Sequence, residues 1–574
     1  MDWMKSYERW LAQCVSEPEL EEELRSIASD EAAIEDRFYR DLEFGTGGLR
    51  GVIGAGTNRM NVFTVAKASQ GLANYVLRHF PEEERLIAVS FDSRIKSDVF
   101  SKVAAGVFAA NGIRVRIYPQ LMPTPCLSFA VRALHCAAGV MVTASHNPAK
   151  YNGYKVYGAD GCQITTEAAA EILSEIETCD AFTDVRRADC DAALADGRIG
   201  TIGREVYDAF TASVLSRSVL GEAEVDKNIS IVYSPLNGTG LRPVTRALRE
   251  AGFGRIFVVP EQEQPDGQFP TCPYPNPEIR EAMALGMDYA ARLGADLLLA
   301  TDPDCDRVGT AVRDGAEYRL ISGNEMGVLL LDYICRRRLE DGTMPDRPIA
   351  VKTIVTTPMA ARVAEHYGVE LVDVLTGFKF IGEQIGLLEK AGEESRYLFG
   401  FEESYGYLSG TAVRDKDAVD AALQICEMFA WYRSRGKSLL EVLDALYERY
   451  GYYQSRLMSF AFEGSAGFAK MQSFMDTLRD EPPQMIAGRR VVGRCDYLRS
   501  ESVGADGSVG GIELPKSNVL RYFLDGGMEA VARPSGTEPK LKIYLTAVGS
   551  DRAQSAATAD ELGAWFKKEI EKIR

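Results

Sequence analysis

The sequence lacks an apolar run long enough to cross a membrane, and it lacks the apolar core of a secretory signal near its amino end. Its 11 cysteines form no pairing motif and no metal-ligand spacing, which predicts reduced thiols in a cytoplasmic protein. Basic residues are fewer than acidic residues, and the formal net charge is -18. We therefore expect no membrane and no nucleic acid among its partners.

What is present is an ordinary globular composition, with 46% hydrophobic and 26% charged residues. The 574 residues suggest about four domains of roughly 150 residues each. An anionic substrate of such an acidic chain has to enter a locally basic cleft.

One local pattern occurs three times, as strand, helix, strand, helix, strand. The strands are predicted at 86–90, 113–118, 137–142, 229–234, 255–259, 295–300, 349–355, 369–374 and 396–399. The helices are predicted at 98–111, 127–133, 241–251, 277–293, 358–367 and 381–391. This alternation predicts three sheet domains with parallel strands covered by helices. Each copy ends in a polar loop at the carboxyl end of its last strand, where ligands bind such sheets.

The regions outside the three copies differ in pattern. Residues before Asp41 predict an amphipathic helix packed on the first domain. After residue 450 the pattern is mixed, with strands near Ala530 and Ile543 and a last helix from Asp560. This predicts a smaller α+β domain at the carboxyl end.

The first polar loop, residues 143–148 (TASHNP), carries Ser145 and His146. A serine in this position can act as a nucleophile if a neighbouring group activates it or if it already carries a reactive group. Taken alone, the pair equally suits an ordinary loop whose side chains make turn hydrogen bonds.

The second loop places Asp302, Asp304 and Asp306 close together. Their mutual repulsion is costly unless a cation lies among them, and oxygen ligands favour Mg²⁺ over zinc. An EF-hand is excluded because Arg307 and Arg313 stand where that loop needs Gly and Glu. The alternative is a solvated acidic turn or a helix cap.

The third loop offers Glu402, Glu403 and Ser404 with the ring of Tyr405. These acceptors and the flat ring suit the hydroxyls of a sugar. The alternative is an acidic helix N-terminus, which the helix dipole favours.

Near the carboxyl end, residues 533–540 combine two cations, Arg533 and Lys540, with two hydroxyls and a glycine. The hydroxyls belong to Ser535 and Thr537, and the glycine is Gly536. Arginine matches phosphate oxygens in two-pronged fashion and turn amides bind anions, which predicts a phosphate site. The alternative is a surface turn.

Together these segments resemble the alpha-phosphohexomutase superfamily, in its longer form related to phosphopentomutases. The motifs appear in the family's order at 45–51 (GTGGLRG), 143–148 (TASHNP), 302–307 (DPDCDR), 376–379 (TGFK), 400–406 (GFEESYG) and 533–539 (RPSGTEP). The resemblance covers nearly the whole chain. It implies three similar mixed α/β sheet domains plus a smaller C-terminal α+β domain around a central cleft. We expect the domains at 1–210, 211–325, 326–450 and 451–574.

The resemblance also implies an activity. It implies interconversion of glucose 1-phosphate and glucose 6-phosphate by a phosphorylated Ser145, with Mg²⁺ bridging that phosphoryl group to the three aspartates and with glucose 1,6-bisphosphate as intermediate and activator. The catalytic residues it implies are Ser145, His146, Lys155 and Arg50. The substrate-binding residues it implies are Arg307, Thr376, Gly377, Lys379, Glu402, Ser404, Arg414 and Lys416. The residues implied for phosphate binding are Arg533, Ser535, Gly536, Thr537 and Lys540.

Several alternatives stay open at this point. The substrate could be a pentose or mannose phosphate, the enzyme could synthesise a hexose bisphosphate, or the chain could be a sugar-phosphate-binding regulator without turnover. Lys155 could be a surface lysine. We expect a monomer or a homodimer. Phe401 and Cys305 depart from the pattern of many relatives, and the first of these leaves the sugar preference open.

Overall fold

The structure is a computed structural model that describes residues 2–45, 47–462, 464–535 and 540–572. The chain divides into two compact units. The amino-terminal unit comprises Met1–Gly323, Ile381–Gly400 and Ser404–Ser434. The carboxyl-terminal unit comprises Asn324–Phe380, Phe401–Glu403 and Arg435–Arg574.

The α-helices are numbered in chain order. They are α1 (Trp3–Gln13), α2 (Pro18–Ser26), α3 (Glu31–Phe38), α4 (Val62–His79), α5 (Ser97–Ala110), α6 (Thr124–Ala133), α7 (Thr166–Thr178), α8 (Cys190–Ala195), α9 (Arg204–Leu215), α10 (Leu241–Glu250), α11 (Pro260–Glu263), α12 (Arg280–Leu293), α13 (Gly323–Glu340), α14 (Met359–Tyr367), α15 (Lys379–Lys390), α16 (Ala418–Arg433), α17 (Leu439–Tyr450), α18 (Gly464–Asp480) and α19 (Arg552–Lys572). Among the described helices, none combines the length and the apolar character that a membrane crossing requires.

The strands are numbered in the same way. They are β1 (Gly48–Val52), β2 (Leu86–Phe91), β3 (Arg114–Ile117), β4 (Ala138–Val142), β5 (Tyr151–Gly158), β6 (Ile199–Thr201), β7 (Ile231–Ser234), β8 (Ile256–Val258), β9 (Leu297–Thr301), β10 (Val308–Asp314), β11 (Glu317–Ile321), β12 (Ile349–Thr353), β13 (Glu370–Val374), β14 (Tyr397–Glu402), β15 (Gly406–Leu408), β16 (Tyr452–Ala461), β17 (Met485–Ile486), β18 (Arg489–Asp496), β19 (Glu501–Val503), β20 (Val509–Gly511), β21 (Leu520–Leu524), β22 (Met528–Pro534) and β23 (Lys540–Gly549).

The amino-terminal unit contains two mixed sheets. In the first, with order β1-β5-β4-β2-β3-β6, β2 pairs parallel with β3 and β4, whereas β5 runs antiparallel to β4 and β1. In the second, with order β11-β10-β9-β7-β8, β7 pairs parallel with β8 and β9, whereas β10 runs antiparallel to β9. The predicted parallel strands are therefore present, and each sheet continues into antiparallel strands that the alternation of strands and helices did not reveal.

The segment before residue 41 forms three short helices where the sequence predicted an amphipathic helix. Its predicted packing on the first domain is confirmed, because Trp10 and Phe38 lie in the same core as Phe63. The Trp10 ring meets the rings of Phe38 and Phe63 edge-on at centroid distances of 5.8 and 5.6 Å. Burial of such large rings fixes the extension to the first sheet.

The carboxyl-terminal unit combines the parallel pair β12 and β13 with an antiparallel sheet of eight strands, of which the sequence predicted only two. One apolar cluster joins the two parts, with Ile354 and Leu375 packed against Val531 and Tyr544. The fold class is thereby confirmed as α/β sheets plus a C-terminal sheet domain. The predicted boundary at 450 does not coincide with a limit of this compact unit, and the four domain limits stay predictions.

Ion pairs reinforce that cluster. The Arg521 guanidinium lies 2.8 Å from Asp373 and 2.8 Å from Glu529, and the Lys352 ammonium lies 2.9 Å from the other oxygen of Asp373. Burial lowers the pKa of Lys352 while Asp373 opposes the shift. Removing one member of such a buried group leaves an uncompensated charge, so the network holds β13 and β21 together.

Helix α16 runs through the interior of the amino-terminal unit and carries buried acids. Asp417 caps the helix by accepting from the amides of Val419 and Asp420. Burial, followed by repulsion from Asp420, raises the pKa of Asp417 to about 8. Burial also raises the pKa of Glu427 to about 7. The folded protein therefore keeps protons on these carboxyls at pH values where the unfolded chain has lost them.

We predict that Asp417→Asn raises the melting temperature, and raises it more at pH 8.5 than at pH 5. The ionisation penalty begins above the unfolded pKa near 3.8 and grows until the folded pKa of about 8. Asn keeps the cap but cannot ionise. Thermal unfolding of both proteins across this range measures the difference, with the exposed Asp288→Asn as control. A gain that is the same at both pH values would contradict the assignment.

Candidate active site

The loop between β4 and β5 presents Ser145 in a constrained conformation. Its φ is 50°, in the left-handed region that a side chain rarely adopts, and the residue is 3% exposed. The Ser145 amide donates to Thr143 Oγ1 at 2.8 Å, and Thr143 Oγ1 donates to Asp92 Oδ2 at 2.6 Å. Such strain persists only where the surroundings enforce it, which is typical of functional loops.

Arg94, which the sequence analysis missed, holds the same loop from behind. Its guanidinium is fully buried beside Asp92 and donates to several carbonyl oxygens of the loop. These carbonyls belong to Ser145, Asn147, Pro148 and Tyr151. The available signal was the polar run that follows β2, because β2 pairs parallel with β4 and both strands end at the same edge. Arg94 is therefore a positioning residue for Ser145.

The loop between β9 and β10 gathers three buried carboxylates. Asp302, Asp304 and Asp306 are 0%, 0% and 1% exposed, and they offer oxygens within 4.8 Å of one another. Burial first, then repulsion by Asp306 and Asp304, raises the pKa of Asp302 well above its ordinary value. In the described part of the chain, Asp304 Oδ1 and Asp306 Oδ1 are buried and accept no hydrogen bond. Such oxygens fit a hard divalent cation as their missing partner.

The two loops meet within the amino-terminal unit. Ser145 Oγ donates to Asp302 Oδ2 at 2.8 Å and lies 3.2 Å from His146 Nδ1. On the other side of the carboxylates, Thr124 Oγ1 donates to Asp304 Oδ2 at 2.9 Å. The structure therefore brings the serine and the acidic cluster into direct contact, as a phosphoryl group on Ser145 held by a metal would require.

Two lysines supply positive charge to the cluster. Lys155 Nζ lies 2.8 Å from Asp304 and 3.4 Å from Asp306, and Lys416 Nζ lies 3.2 Å from Asp306. Burial opposes the charge on Lys155, but Asp304 and Asp306 raise its pKa above the ordinary value. The pKa of Asp306 is lowered, because Lys416 and Lys155 outweigh its burial. Lys155 is thus a buried cation of the cluster and not a surface lysine.

The remaining neighbours of Ser145 are basic. Arg307 pairs with Glu278 and lies 3.8 Å from Asp306 Oδ1, and Arg50 donates to Asn147 Oδ1 at 3.3 Å. Burial, followed by repulsion from Arg307 and Arg50, lowers the pKa of His146 well below its ordinary value. His146 is therefore a neutral imidazole next to the serine hydroxyl, able to accept or to donate one hydrogen bond at each nitrogen according to its tautomer.

Arg414 is held by protein groups. Its side chain has 0% exposure, pairs with Glu389 at 2.8 Å and donates to the carbonyl of Thr411 at 2.9 Å. Its amide donates to Ser128. Arg414 Nη1 is buried and makes no hydrogen bond within the described residues, and the predicted ligand contact of Arg414 stays a prediction.

Cys305, the departure from the family pattern in the loop of the three aspartates, adopts a φ of 52°. This left-handed backbone favours glycine, so the residue holds a conformation that side chains rarely adopt. The Cys305 side chain is fully buried, and burial raises the pKa of its thiol well above the ordinary value. The thiol therefore fills space without taking part in chemistry.

The other predicted site residues, except Ser404, lie in the carboxyl-terminal unit. Lys379 is 7% exposed with its ammonium 5.2 Å from the Phe380 ring centre, and Glu402 is 5% exposed. Thr376 Oγ1 is buried and, within the described residues, makes no hydrogen bond. Gly377 has a φ of 122°, which only glycine adopts freely. Their roles stay predictions.

The predicted phosphate segment is described in part. Arg533 ends up opposite Lys542 in the pairing of β22 and β23, and the amide of Ser535 donates to the carbonyl of Lys540 at 2.7 Å. Gly536 and Thr537 lie outside the described residues.

Three family models match the chain in succession. They are described as phosphoglucomutase/phosphomannomutase, alpha/beta/alpha domains I, II and III, and they match residues 41–182, 208–315 and 322–450. Together they cover more than half of the chain.

Curated relatives match over nearly their whole length. The phosphoglucomutase of Staphylococcus saprophyticus is 37% identical over 508 residues, which are 88% of this chain and 90% of the relative. The phosphoglucomutase of Staphylococcus aureus strain MRSA252 is 36% identical over 528 residues, with 91% and 93% covered.

Two solved structures share the fold. A putative phosphomannomutase from Thermus thermophilus has a TM-score of 0.67 at 22% identity, covering 93% of this chain and 99% of that one. The Paramecium phosphoprotein parafusin has a TM-score of 0.66 at 16% identity, with 93% and 96% covered. At these identities the likeness concerns the fold alone.

We predict that Asp304→Asn weakens Mg²⁺ binding by roughly tenfold or more, because affinity in oxygen-ligand sites follows the number of charged ligands. Isothermal titration calorimetry of the metal-stripped full chain measures the dissociation constant. Asp314→Asn, an exposed aspartate at the end of β10, is the matched control and should bind Mg²⁺ like the parent. Equal affinities in the two variants would remove Asp304 from the metal site.

Proposed function

Because the chain belongs to the phosphoglucomutase/phosphomannomutase family, we propose that it is an isomerase that interconverts glucose 1-phosphate and glucose 6-phosphate. The observation that carries the proposal is the direct contact of Ser145 Oγ with Asp302 at 2.8 Å, beside two carboxylate oxygens that lack partners in the described chain. The names of the staphylococcal relatives support glucose as the sugar.

The reaction needs two phosphoryl transfers at one serine. In the first, the bond between phosphorus and Ser145 Oγ breaks while the free hydroxyl of the sugar phosphate binds the phosphoryl group and loses its proton. In the second, the other phosphate of the resulting bisphosphate returns to Ser145. We therefore propose glucose 1,6-bisphosphate as intermediate and activator, which must present each end to the same serine in turn.

The residues around Ser145 suit a transfer that needs positioning and charge neutralisation. Arg94 and Thr143 fix the serine loop, so Ser145 Oγ stays directed at the carboxylates. Positive charge comes from three further side chains. Arg50 contacts Asn147 of the serine loop, and Arg307 and Lys416 lie next to Asp306. A dianionic phosphoryl group can thus be held there despite the acidic cluster.

We propose Mg²⁺ as the cation of the cluster. Asp302, Asp304 and Asp306 would hold it together with a phosphoryl oxygen on Ser145, and when bound it neutralises charge on the group being transferred. The two oxygens without hydrogen-bond partners in the described chain, Asp304 Oδ1 and Asp306 Oδ1, support this ligand set.

Lys155 is assigned the proton exchange. Asp304 and Asp306 keep the proton on its Nζ, and a divalent cation held by these carboxylates would offset that effect and favour the neutral amine. The neutral Nζ takes the proton that the attacking hydroxyl loses in the first transfer. It returns that proton in the second transfer to the sugar oxygen that gives up its phosphoryl group. His146, being neutral and 3.2 Å from Ser145 Oγ, assists by hydrogen bonding to the serine oxygen.

For the sugar we propose contacts from Thr376, Gly377, Lys379, Glu402 and Ser404, and for its distant phosphate contacts from Arg533, Ser535, Gly536, Thr537 and Lys540. Support comes from residue chemistry and from the family's motif order. The low exposure of Lys379 and Glu402 suits side chains that keep a fixed orientation for a ligand.

The substrate is tested by incubating the full chain with Mg²⁺, a trace of glucose 1,6-bisphosphate and the 1-phosphates of glucose, mannose, ribose or deoxyribose. We expect the highest kcat/KM with glucose 1-phosphate, followed as glucose 6-phosphate formation. Faster turnover of mannose 1-phosphate would move the assignment to a phosphomannomutase, and faster turnover of either pentose to a phosphopentomutase. Absence of turnover would favour a binding protein.

We predict that Ser145→Ala loses activity by at least about 10³-fold, because the nucleophile is the centre of both transfers. The variant should also lose the covalent phosphoryl group seen by intact-protein mass spectrometry after incubation with glucose 1,6-bisphosphate. Ser174→Ala, which removes an exposed hydroxyl on α7, is the control. Full activity of Ser145→Ala would refute the nucleophile.

Thr143 tests the positioning of the loop. Thr143→Val keeps the shape of the side chain but removes the hydrogen bonds to Asp92 and to the Ser145 amide. We expect a decrease in kcat of about 10- to 100-fold with KM changed little, since small displacements of a reacting atom have effects of this size. Thr143→Ser retains the hydroxyl and should stay within about threefold of the parent. Equal kcat values for the two variants would contradict the role.

A further inference from the structure

A second basic cavity lies in the amino-terminal unit, outside the cluster around Ser145. It has a volume of about 650 Å³ and is lined by α9, α10 and the loop at 118–122. The family's motifs do not include these segments, and no step of the proposed reaction uses them.

Arginines dominate the lining. Arg242, Arg246 and Arg249 lie on one face of α10, at spacings of four and three residues, and Arg204 begins α9. Glu250 is the one acid among the described residues that line the cavity. Although the formal net charge of the chain is -18, these guanidinium groups create a positive electrostatic potential inside the cavity.

The arginines are held to different degrees. Arg246 is fixed, since it stacks 4.8 Å above the Tyr207 ring and pairs with Asp208 and Glu250 at 2.7 Å each. Arg242 is exposed and donates to the neutral side chain of Gln120 at 2.6 Å. Arg249 is exposed and, across the described residues, has no carboxylate within ion-pair distance. Two guanidinium groups thus remain available for an anion beside one that is anchored.

We propose that this cavity binds a chain of two or three phosphoryl groups, as present in inorganic polyphosphate and in nucleoside di- and triphosphates. Arginines match phosphate oxygens with paired N–H donors, and three of them on one helix face spread over a length that a single phosphate cannot span. The cavity volume also exceeds what one phosphate fills. The inference stands independently of the proposed mutase reaction.

Two of the segments that line the cavity, α10 and the loop at 118–122, are close in sequence to residues that bind the loop of the three aspartates. Helix α10 begins two residues after Thr239, whose amide and hydroxyl both donate to the carbonyl of Pro303 at 2.9 Å. The loop at 118–122 continues into Thr124, whose amide and hydroxyl hold Asp304 at 2.9 Å. A polyphosphate that draws Arg242 and the loop at 118–122 together therefore restrains the backbone on both sides of Pro303 and Asp304.

The test is a titration of the full chain with inorganic tripolyphosphate in the presence of EDTA. Isothermal titration calorimetry measures the dissociation constant. The variant Arg242→Glu/Arg249→Glu should raise the dissociation constant at least tenfold. The control Lys102→Glu/Arg292→Glu makes the same change in net charge on exposed positions of α5 and α12 and should stay within twofold. Any binding at the serine site is common to both variants, so the difference between them reports the cavity.

Three outcomes would overturn the proposal: no binding by the parent protein, an equal loss in both variants, or no loss in either. A second measurement uses hydrogen exchange, in which tripolyphosphate should slow the amides of 118–124 and 238–246 in the parent but not in Arg242→Glu/Arg249→Glu. ATP is the companion probe in the same buffer. Equal affinity for ATP and tripolyphosphate identifies the phosphate chain alone as the ligand, and tighter binding of ATP identifies a nucleotide.

Discussion

Three carboxylates buried within 4.8 Å of one another are the constraint around which the amino-terminal unit is arranged. Desolvation and mutual repulsion make such a cluster unfavourable unless positive charge is brought to it. The chain brings that charge from distant segments, as Lys155 in β5 and Lys416 just before α16. The negative charge that suits the cluster to a divalent cation therefore also brings β5, the loop at 302–306 and the segment before α16 together in the fold.

The positions of Ser145 and Asp302 could be predicted from the sequence in part. The repeated pattern of strands and helices placed each of them at the carboxyl end of a strand, where ligands bind such sheets. Their strands, β4 and β9, belong to two different sheets, so only the resemblance to a known family implied that the two loops meet. The contact spans 157 residues along the chain. The recurrence of a polar loop in the same place, together with the three alternating aspartates, then indicated which loops carry chemistry.

Sequence alone could not supply the groups that orient these loops. Arg94 donates to carbonyl oxygens, which every residue carries, so the sequence could not identify its partners, although its place in the polar run after β2 was an available signal. For Arg414 the resemblance implied a ligand contact, and the fold adds a partner that the sequence did not indicate, because the buried guanidinium pairs with Glu389 of α15. The antiparallel strands β5 and β10 were missed because Gly153 and Gly309 interrupt their apolar patterns.

The backbone fixes the geometry of the carboxylates before any ligand arrives. Asp302 Oδ1 accepts from the amides of Asp306 and Arg307 at 3.1 and 3.0 Å, and Asp304 accepts from Thr124. These bonds hold Asp302 Oδ1 and Asp304 Oδ2, whereas Asp304 Oδ1 and Asp306 Oδ1 accept no hydrogen bond within the described residues. Because side chains with locked orientation lose little freedom on binding, such preorganisation favours a cation that demands a strict geometry. Hence Thr124 and Thr239, which hold the loop at Asp304 and Pro303 by hydrogen bonds, act as positioning residues of the site although neither carries charge.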